Sequence, residues 1–155
     1  VMAQGVPDAA VVSQVRYAAG GLFADSPLDT LGLLRVALSK YALQPGRDTV
    51  TQSVAADPGR PMFARVPSGA KTCAFCLMLA SRGAVYVSKA AAGGTMHKYH
   101  GKCDCVPTPL WADSQLPGGY NPDALYERYS AARQAAQSGN TKEILAELRQ
   151  RDGLS

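Results

Sequence analysis

The chain has 155 residues, of which 46% are apolar, and a formal net charge of +4 at pH 7. This length is typical of one domain, and the apolar share suffices for a core, so the composition excludes a globally disordered protein. No apolar run approaches the roughly 20 residues of a membrane-spanning helix, and the first residues lack the pattern of a secretion signal. We therefore expect a protein without a membrane partner that acts in the compartment where it is made.

The positive charge is concentrated in the middle of the chain. Residues 59–113 carry seven basic and two acidic side chains, whereas residues 1–58 and 114–155 are close to neutral. Such an excess indicates either a solvated surface or contact with phosphate groups or an acidic partner. The candidates for a nucleic-acid or partner contact are Lys71, Arg82, Lys89, Lys98 and Lys102.

The first part of the chain shows the apolar spacing of helices. A first helix is predicted to begin at Asp8 and to end at Gly20 and Gly21, because paired glycines favour helix termination. Its apolar positions are Val11, Val15 and Ala18. Together with the helices that follow, this pattern predicts a helical arm over residues 1–58.

A second helix follows after a short gap. Ser26 is a suitable N-cap and Pro27 fits the first turn, and Pro45 and Gly46 are predicted to end the helix, because an interior proline removes a backbone hydrogen bond. Its apolar stripe consists of Leu28, Leu31, Leu34, Leu38 and Tyr41. A third, short helix is predicted from Asp48 to about Ala56.

The pattern changes after residue 56. Residues 57–69 contain three prolines and two glycines, which predicts a linker or an extended edge. The next stretch, "CAFCLMLASRG", predicts a helix closed by Gly83, and "AVYVS" at residues 84–88 predicts a strand because it is rich in β-branched and aromatic side chains. Residues 103–111 predict a short extended segment whose prolines confine it to an edge.

Two helices are predicted at the end of the chain. Asn121 and Pro122 are a strong helix start, and Gly139 is a suitable stop. Thr141 is predicted to cap the last helix. The apolar faces consist of Leu125, Tyr129, Ala132 and Ala136 in the first of these helices, and of Ile144, Leu145 and Leu148 in the second.

All four cysteines and both histidines of the chain lie between residues 73 and 105. Cys73 and Cys76 have the C-x2-C spacing that presents two sulfurs to one metal ion, and the second group has the form H-x2-C-x-C. Four-coordinate sites of this kind are mostly structural zinc sites. We predict that Cys73 and Cys76 bind zinc together with two of His100, Cys103 and Cys105, and that the fifth candidate supports a ligand or stands aside.

The cysteines have two other interpretations, buried free thiols or disulfides. A reducing cytoplasm argues against disulfides, and the clustering of the cysteines argues against unrelated buried thiols. A third interpretation is that the cysteines bind zinc first and are oxidised later, inside an exported particle. With three thiolates and one histidine, a zinc site would add about one negative charge to this basic region.

The residues expected of a hydrolytic metal enzyme are missing. The first glutamate of the chain is Glu127, and neither H-E-x-x-H nor the H-x-E motif of deaminases occurs. The acids of residues 59–113 are Asp104 and Asp113, and Asp104, between two candidate ligands, is interpreted as solvated or as orienting a neighbour. His97 is a candidate catalytic base or extra metal ligand, but a lone loop histidine is usually exposed and inert. The sequence predicts a structural metal site and no enzymatic activity.

The segments "VPSGAKTCAFCLMLASRGAVY" and "YHGKCDCVPTPLW" together resemble the Mu F-like minor head proteins of tailed bacteriophages. The family pattern of C-x2-C, helix, glycine, strand, variable loop and H-x2-C-x-C falls on Cys73, Cys76, Gly83, His100, Cys103 and Cys105. This chain has Asp104 where many members have arginine, which argues against a phosphate contact there. The resemblance covers about residues 65–111.

The resemblance implies a minor capsid protein near the portal inside the phage head, assembled in the host cytoplasm, with a role in head assembly and in DNA packaging or delivery. Its partners would be the portal and major capsid proteins and packaged DNA, with no small-molecule substrate. We expect an α+β fold with three parts: a helical arm (1–58), a zinc-knot α/β module with few short strands (59–113), and C-terminal helices (114–155).

The same residues suggest two other functions. In a nuclease, a zinc module would support His97 or His100 as the base that activates water, but the module offers no carboxylate pair for magnesium. A free DNA-binding zinc protein would use the basic side chains of the module, and its affinity would fall steeply with salt.

Overall fold

The computed structural model describes residues 5–23, 27–69, 72–86, 99 and 103–154. Within these residues the chain forms five α-helices, one 3-10 turn and two strands, which confirms the predicted α+β class. The elements are α1 (Asp8–Gly20), the 3-10 turn (Gly21–Phe23), α2 (Pro27–Ala56), β1 (Met62–Val66), α3 (Ala74–Ala80), β2 (Val106–Leu110), α4 (Pro122–Ala136) and α5 (Thr141–Asp152).

The predicted break at Pro45 and Gly46 is wrong, because α2 continues through Pro45 as one helix of 30 residues. The predicted short helix from Asp48 is its C-terminal part. An interior proline costs about 3 kcal/mol in a helix, so other contacts must offset it. They lie just beyond the proline, where Arg47 is buried and Val54 packs with Phe63 of β1. Ser26, the predicted N-cap, lies outside the described residues.

The helices α1 and α2 pack against each other but leave much of their apolar surface exposed. The Tyr41 hydroxyl donates a hydrogen bond to the Ala10 carbonyl at 3.3 Å. Of the apolar positions predicted for α1, Ala18 is buried, whereas Val15 is exposed. In the predicted stripe of α2, Leu38 is 68% exposed. The apolar positions predicted for α1 and α2 therefore lie on helices, as expected, but only some of their side chains are buried.

The sheet consists of two antiparallel strands, with Met62 opposite Leu110 and Val66 opposite Val106. The segment predicted as an extended edge forms β2, and its prolines at 107 and 109 are tolerated because β2 is an edge strand among the described residues. The strand predicted at 84–88 is reduced to a single bridge between Tyr86 and Phe63 among the described residues. Residues 87 and 88 lie outside them.

The largest core joins α3 to the two C-terminal helices. Its buried side chains are Ala74, Leu77, Met78, Leu79, Ala132, Ile144, Leu145 and Leu148. The predicted apolar face of α5 is thus confirmed. A second cluster ties α3 to the sheet and contains Ala64, Ala80, Leu110 and Tyr120. The helix α3, which carries Cys76, is therefore held on several sides.

The ends of α4 and α5 differ slightly from the predicted ones. Asn121 caps α4 as predicted, and its side chain accepts the N–H of Ala124. The helix ends before Gly139, because Gln137 adopts a left-handed conformation with φ 48°. Asn140, rather than Thr141, caps α5, since its side chain accepts the N–H of Lys142 at 2.9 Å.

Candidate metal centre

Two of the predicted ligands are placed by the start of α3. Cys73 is the N-cap of the helix, and its Sγ accepts a hydrogen bond from the backbone N–H of Cys76 at 3.3 Å. Cys76 lies in the first turn and is fully buried. The C-x2-C spacing therefore turns both sulfurs towards the same buried region, as the sequence predicted.

The other two cysteines, Cys103 and Cys105, lie in the segment that leads directly into β2. The sulfurs of both face Cys76 in α3. The Sγ of Cys103 lies 3.2 Å from the Sγ of Cys76 and 3.2 Å from the Sγ of Cys105, and the Sγ atoms of Cys105 and Cys76 are 3.6 Å apart. A disulfide requires about 2.05 Å, so these three sulfurs are in contact without being bonded to one another.

The three closest sulfurs have a geometry that fits a soft metal ion. Tetrahedral zinc with sulfurs at about 2.3 Å places them about 3.8 Å from one another. The triangle of Cys76, Cys103 and Cys105 is slightly tighter than that, and all three are buried. These three cysteines could therefore bind a metal ion. Cys73 lies in the same buried cluster.

A buried arginine, which the sequence analysis did not single out, contacts this cluster. Arg65 lies in β1 and is 2% exposed. Its Nε and Nη2 atoms donate to the Sγ of Cys105 at 3.1 and 3.0 Å, and Nη2 also donates to the Sγ of Cys103 at 3.3 Å. No local sequence pattern identifies this role, because an arginine is almost never fully buried unless paired, and the partners of Arg65 lie about 40 residues away.

The sulfurs and Arg65 shift one another's ionisation. Hydrogen bonds with the thiols of Cys105 and Cys76 lower the pKa of Cys103 to about 2. The hydrogen bond to Cys103 raises the pKa of Cys76, and it raises the pKa of Cys105 to about 11. Burial alone would lower the pKa of Arg65, but its electrostatic interactions with Cys105 and Tyr99 raise the pKa above its usual value. The cluster thus favours a thiolate, the form in which cysteine binds metal.

Asp104 orients the loop that leads into α3, one of the two roles that the sequence left open. Its Oδ2 accepts the backbone N–H of Gly69 at 3.1 Å and the hydroxyl of Thr72 at 3.2 Å. The Ser68 hydroxyl donates to the backbone carbonyl of Asp104. These bonds connect the segment before Cys73 to the segment that carries Cys103 and Cys105.

The remaining predicted site residues are mostly not described. His97, His100, Lys71, Lys89, Lys98 and Lys102 lie outside the described residues. Arg82 is exposed after α3 and lines an open groove of about 400 Å³ beside Met78, Val85, Tyr126 and Tyr129. The structure therefore brings together the four predicted cysteines, and its geometry does not address the predicted histidine.

No helix within the described part of the chain is both long enough and apolar enough to cross a membrane.

Fold and site together define a small α+β protein in which buried cysteines hold α3 against the segment before β2. The chain belongs to the VG15 protein family, which matches residues 1–132. It is 29% identical to the Gene 15 protein of Mycobacterium phage D29, over 61% of this chain and 46% of that protein. The Gene 15 protein of Mycobacterium phage L5 is also 29% identical, over 61% of this chain and 45% of the relative.

The chain therefore spans less than half the length of these two relatives. No solved structure matches it. The matches confirm a phage protein family.

Proposed function

We propose that this protein is a minor structural component of a tailed-phage head, located near the portal, and that its cysteine cluster binds a structural zinc ion. The observation that carries the proposal is the buried sulfur cluster, which joins two stretches of backbone that are 27 residues apart. Membership of a phage protein family and the resemblance of the Cys/His pattern to minor head proteins support the location.

The burial of the cluster favours a structural over a catalytic site. Catalytic zinc sites keep one position open for water or substrate, whereas structural sites are closed by four protein ligands. Cys76 and Cys105 are fully buried, and Cys73 and Cys103 are nearly so. We therefore propose a non-enzymatic protein that takes no small-molecule substrate.

Zinc is the proposed metal because of the donor set. Thiolates favour soft or borderline ions, and closed thiolate sites in small modules are commonly zinc sites. A two-stranded sheet is marginal by itself, so a metal contribution on the order of 10 kcal/mol would decide whether the module folds. Cys76, Cys103 and Cys105 would supply three ligands, with Cys73 or His100 as the fourth.

The proposed partners are the portal and major capsid proteins, and packaged DNA. Among the described residues, nine of the fourteen exposed large apolar side chains lie between residues 12 and 43, on α1, the 3-10 turn and α2. Exposed apolar surface of this extent is typical of protein contacts. This distribution supports contact through the helical arm rather than through the cysteine cluster.

The metal part is tested by elemental analysis of reduced, freshly purified protein. We expect about one equivalent of zinc per chain, and a clear loss in Cys76→Ser. Met62→Ala is a matched control, because Met62 is an exposed side chain of β1 outside the cluster. Less than half an equivalent in the parent protein would contradict the zinc site.

The location is tested on particles of a phage that encodes this protein. Mass spectrometry of DNA-filled heads should detect the chain in few copies, and images of the particle should place its density beside the portal. Absence from DNA-filled heads would refute the location. Cleavage of DNA by the purified protein with magnesium or manganese, abolished by His97→Ala, would instead support a nuclease.

A further inference from the structure

Two buried arginines stack on one buried tyrosine beside the cysteine cluster. The guanidinium carbons of Arg47 and Arg65 lie 4.2 and 4.1 Å from the centre of the Tyr99 ring. Arg47 is 3% exposed and Arg65 is 2% exposed. Because guanidinium groups stay protonated in proteins, two positive charges are buried in one small volume. Such charges are costly unless negative charge lies nearby.

The contacts of both arginines lead to the cysteines. Arg65 donates three hydrogen bonds to the sulfurs of Cys103 and Cys105. Arg47 donates from Nη2 to the backbone carbonyl of Cys103 at 2.8 Å. The Nε and Nη1 atoms of Arg47 are buried without a hydrogen-bond partner in the described part of the chain, so this charge is poorly compensated by neutral groups.

We propose that all four cysteines bind the metal as thiolates, with Cys73 rather than His100 as the fourth ligand, and that Arg47 and Arg65 provide the balancing charge. This inference rests on the metal site proposed above. A divalent ion with four thiolates has a net charge of −2, which matches two guanidinium groups. With three thiolates and a neutral histidine the net charge is −1, and one buried positive charge is left uncompensated.

The position of Cys73 supports this ligand set independently of the charge argument. Its Sγ accepts the backbone N–H of Cys76, and a hydrogen bond to the charged form of a group favours that form. Cys73 is also buried in one cluster with the other three cysteines and Tyr99. Its Sγ lies outside the group of three sulfurs that are all within 4.8 Å of one another, so Cys73 must shift towards them to bind the same ion. Its N-cap position is stabilised further by the bonds of Asp104 to Gly69 and Thr72.

X-ray absorption at the zinc edge of the full, unmutated chain tests the ligand set without any variant. We expect four sulfurs at about 2.3 Å. Three sulfurs and one nitrogen at about 2.0–2.1 Å would overturn the inference and leave the zinc site intact. A protein that takes up no zinc would overturn both proposals, so the two failures are distinguishable.

The charge balance is tested by zinc affinity, measured in competition with a chelator. Arg65→Met should lower the affinity about 10- to 100-fold, the usual effect of removing a residue that supports a metal ligand. Arg47→Met should also lower the zinc affinity. Arg82→Met is the matched control, because Arg82 is an exposed arginine of the same module, and its affinity should not change.

A double substitution separates charge balance from a general loss of packing. Cys73→His removes one negative charge from the metal complex and Arg47→Met removes one positive charge. Combined, they should lower the affinity by clearly less than the product of their separate effects, whereas two unrelated packing defects would multiply. Independent effects, or an unchanged affinity in Arg65→Met, would refute the charge balance. If the double variant does not fold, the charge balance is judged from the zinc affinities of Arg65→Met and Arg82→Met.

Discussion

The helical arm (residues 1–58) and the cysteine-bearing half (residues 59–155) have similar shares of apolar residues. They differ in how many of these side chains are buried. In α1 and α2, Leu31 and Leu38 are mainly exposed. Between residues 8 and 44, Ala18 and Ala37 are the buried apolar side chains among those that the structure describes. In the cysteine-bearing half, the side chains of Leu77, Leu79, Ile144 and Leu148 are almost completely buried.

This difference shows that regular helical spacing does not determine how much of a stripe is buried. The three helices α3, α4 and α5 cover one another's apolar faces in one core. The arm contains two helices, and each leaves a face without a neighbour among the described residues. We therefore expect substitutions in the two regions to change the free energy of unfolding by different amounts. At glycines we expect changes of opposite sign.

The largest effect is expected for Cys76→Ser. Loss of this proposed ligand should remove most of the proposed metal contribution, which is on the order of 10 kcal/mol and comparable to the whole stability of a small domain. Amide hydrogen exchange in β1, α3 and β2 should become fast, whereas α2 before residue 45 should keep its protection. Met62→Ala is the control. Unchanged exchange in α3 would argue against metal-dependent folding.

A matched pair of leucine truncations compares the two regions directly. Leu148→Ala opens a cavity in the α3–α5 core and should cost about 2–5 kcal/mol. Leu38→Ala changes a side chain that is 68% exposed and should alter stability by no more than about 0.5 kcal/mol. Urea unfolding measures both. A large effect of Leu38→Ala on the isolated chain would show that the arm is covered after all.

Glycine-to-alanine substitutions should have opposite signs in the two regions. Gly83, which follows α3, has φ +70°, so Gly83→Ala should destabilise by roughly 1–2 kcal/mol. Gly32 lies inside α2, and a Cβ there would meet nothing within 4 Å, so Gly32→Ala should stabilise by roughly 0.5–1 kcal/mol. Thermal unfolding of both variants checks the signs. Two changes of the same sign would contradict the assigned backbone conformations.

A smaller loss of stability than in Leu148→Ala is expected for Tyr120→Phe. The Tyr120 hydroxyl donates to the Ala80 carbonyl at 2.7 Å, and losing this bond should cost about 1 kcal/mol. Burial raises the pKa of Tyr120 from 10 to about 12, so its contribution is complete below pH 10 and is lost as the pH rises through 12.

Unfolding measured between pH 9 and 12 should therefore show a shallower loss of stability in Tyr120→Phe than in the parent protein. Tyr126→Phe, at an exposed position of α4, is the control and should follow the parent protein. Parallel curves for all three proteins would show that Tyr120 does not ionise with a raised pKa.

The sequence by itself determined the features that depend on neighbouring residues. The Asn121–Pro122 start of α4 and the apolar face of α5 were predictable because caps and periodicity act within a few residues. The spacings predicted that Cys73 and Cys76 lie beside two of His100, Cys103 and Cys105, because few chemical roles bring soft ligands together in this way. The four cysteines do form one buried cluster.

The tertiary structure alone decided the features that depend on distant groups. The helix α2 passes through Pro45 in a region where Arg47 bonds to Cys103, 56 residues away, and no local rule contains that contact. The burial of Arg65 likewise depends on sulfurs about 40 positions further along the chain. A local pattern reports helix propensity and spacing, whereas the cost of burying a charge is set by whichever side chains the fold brings around it.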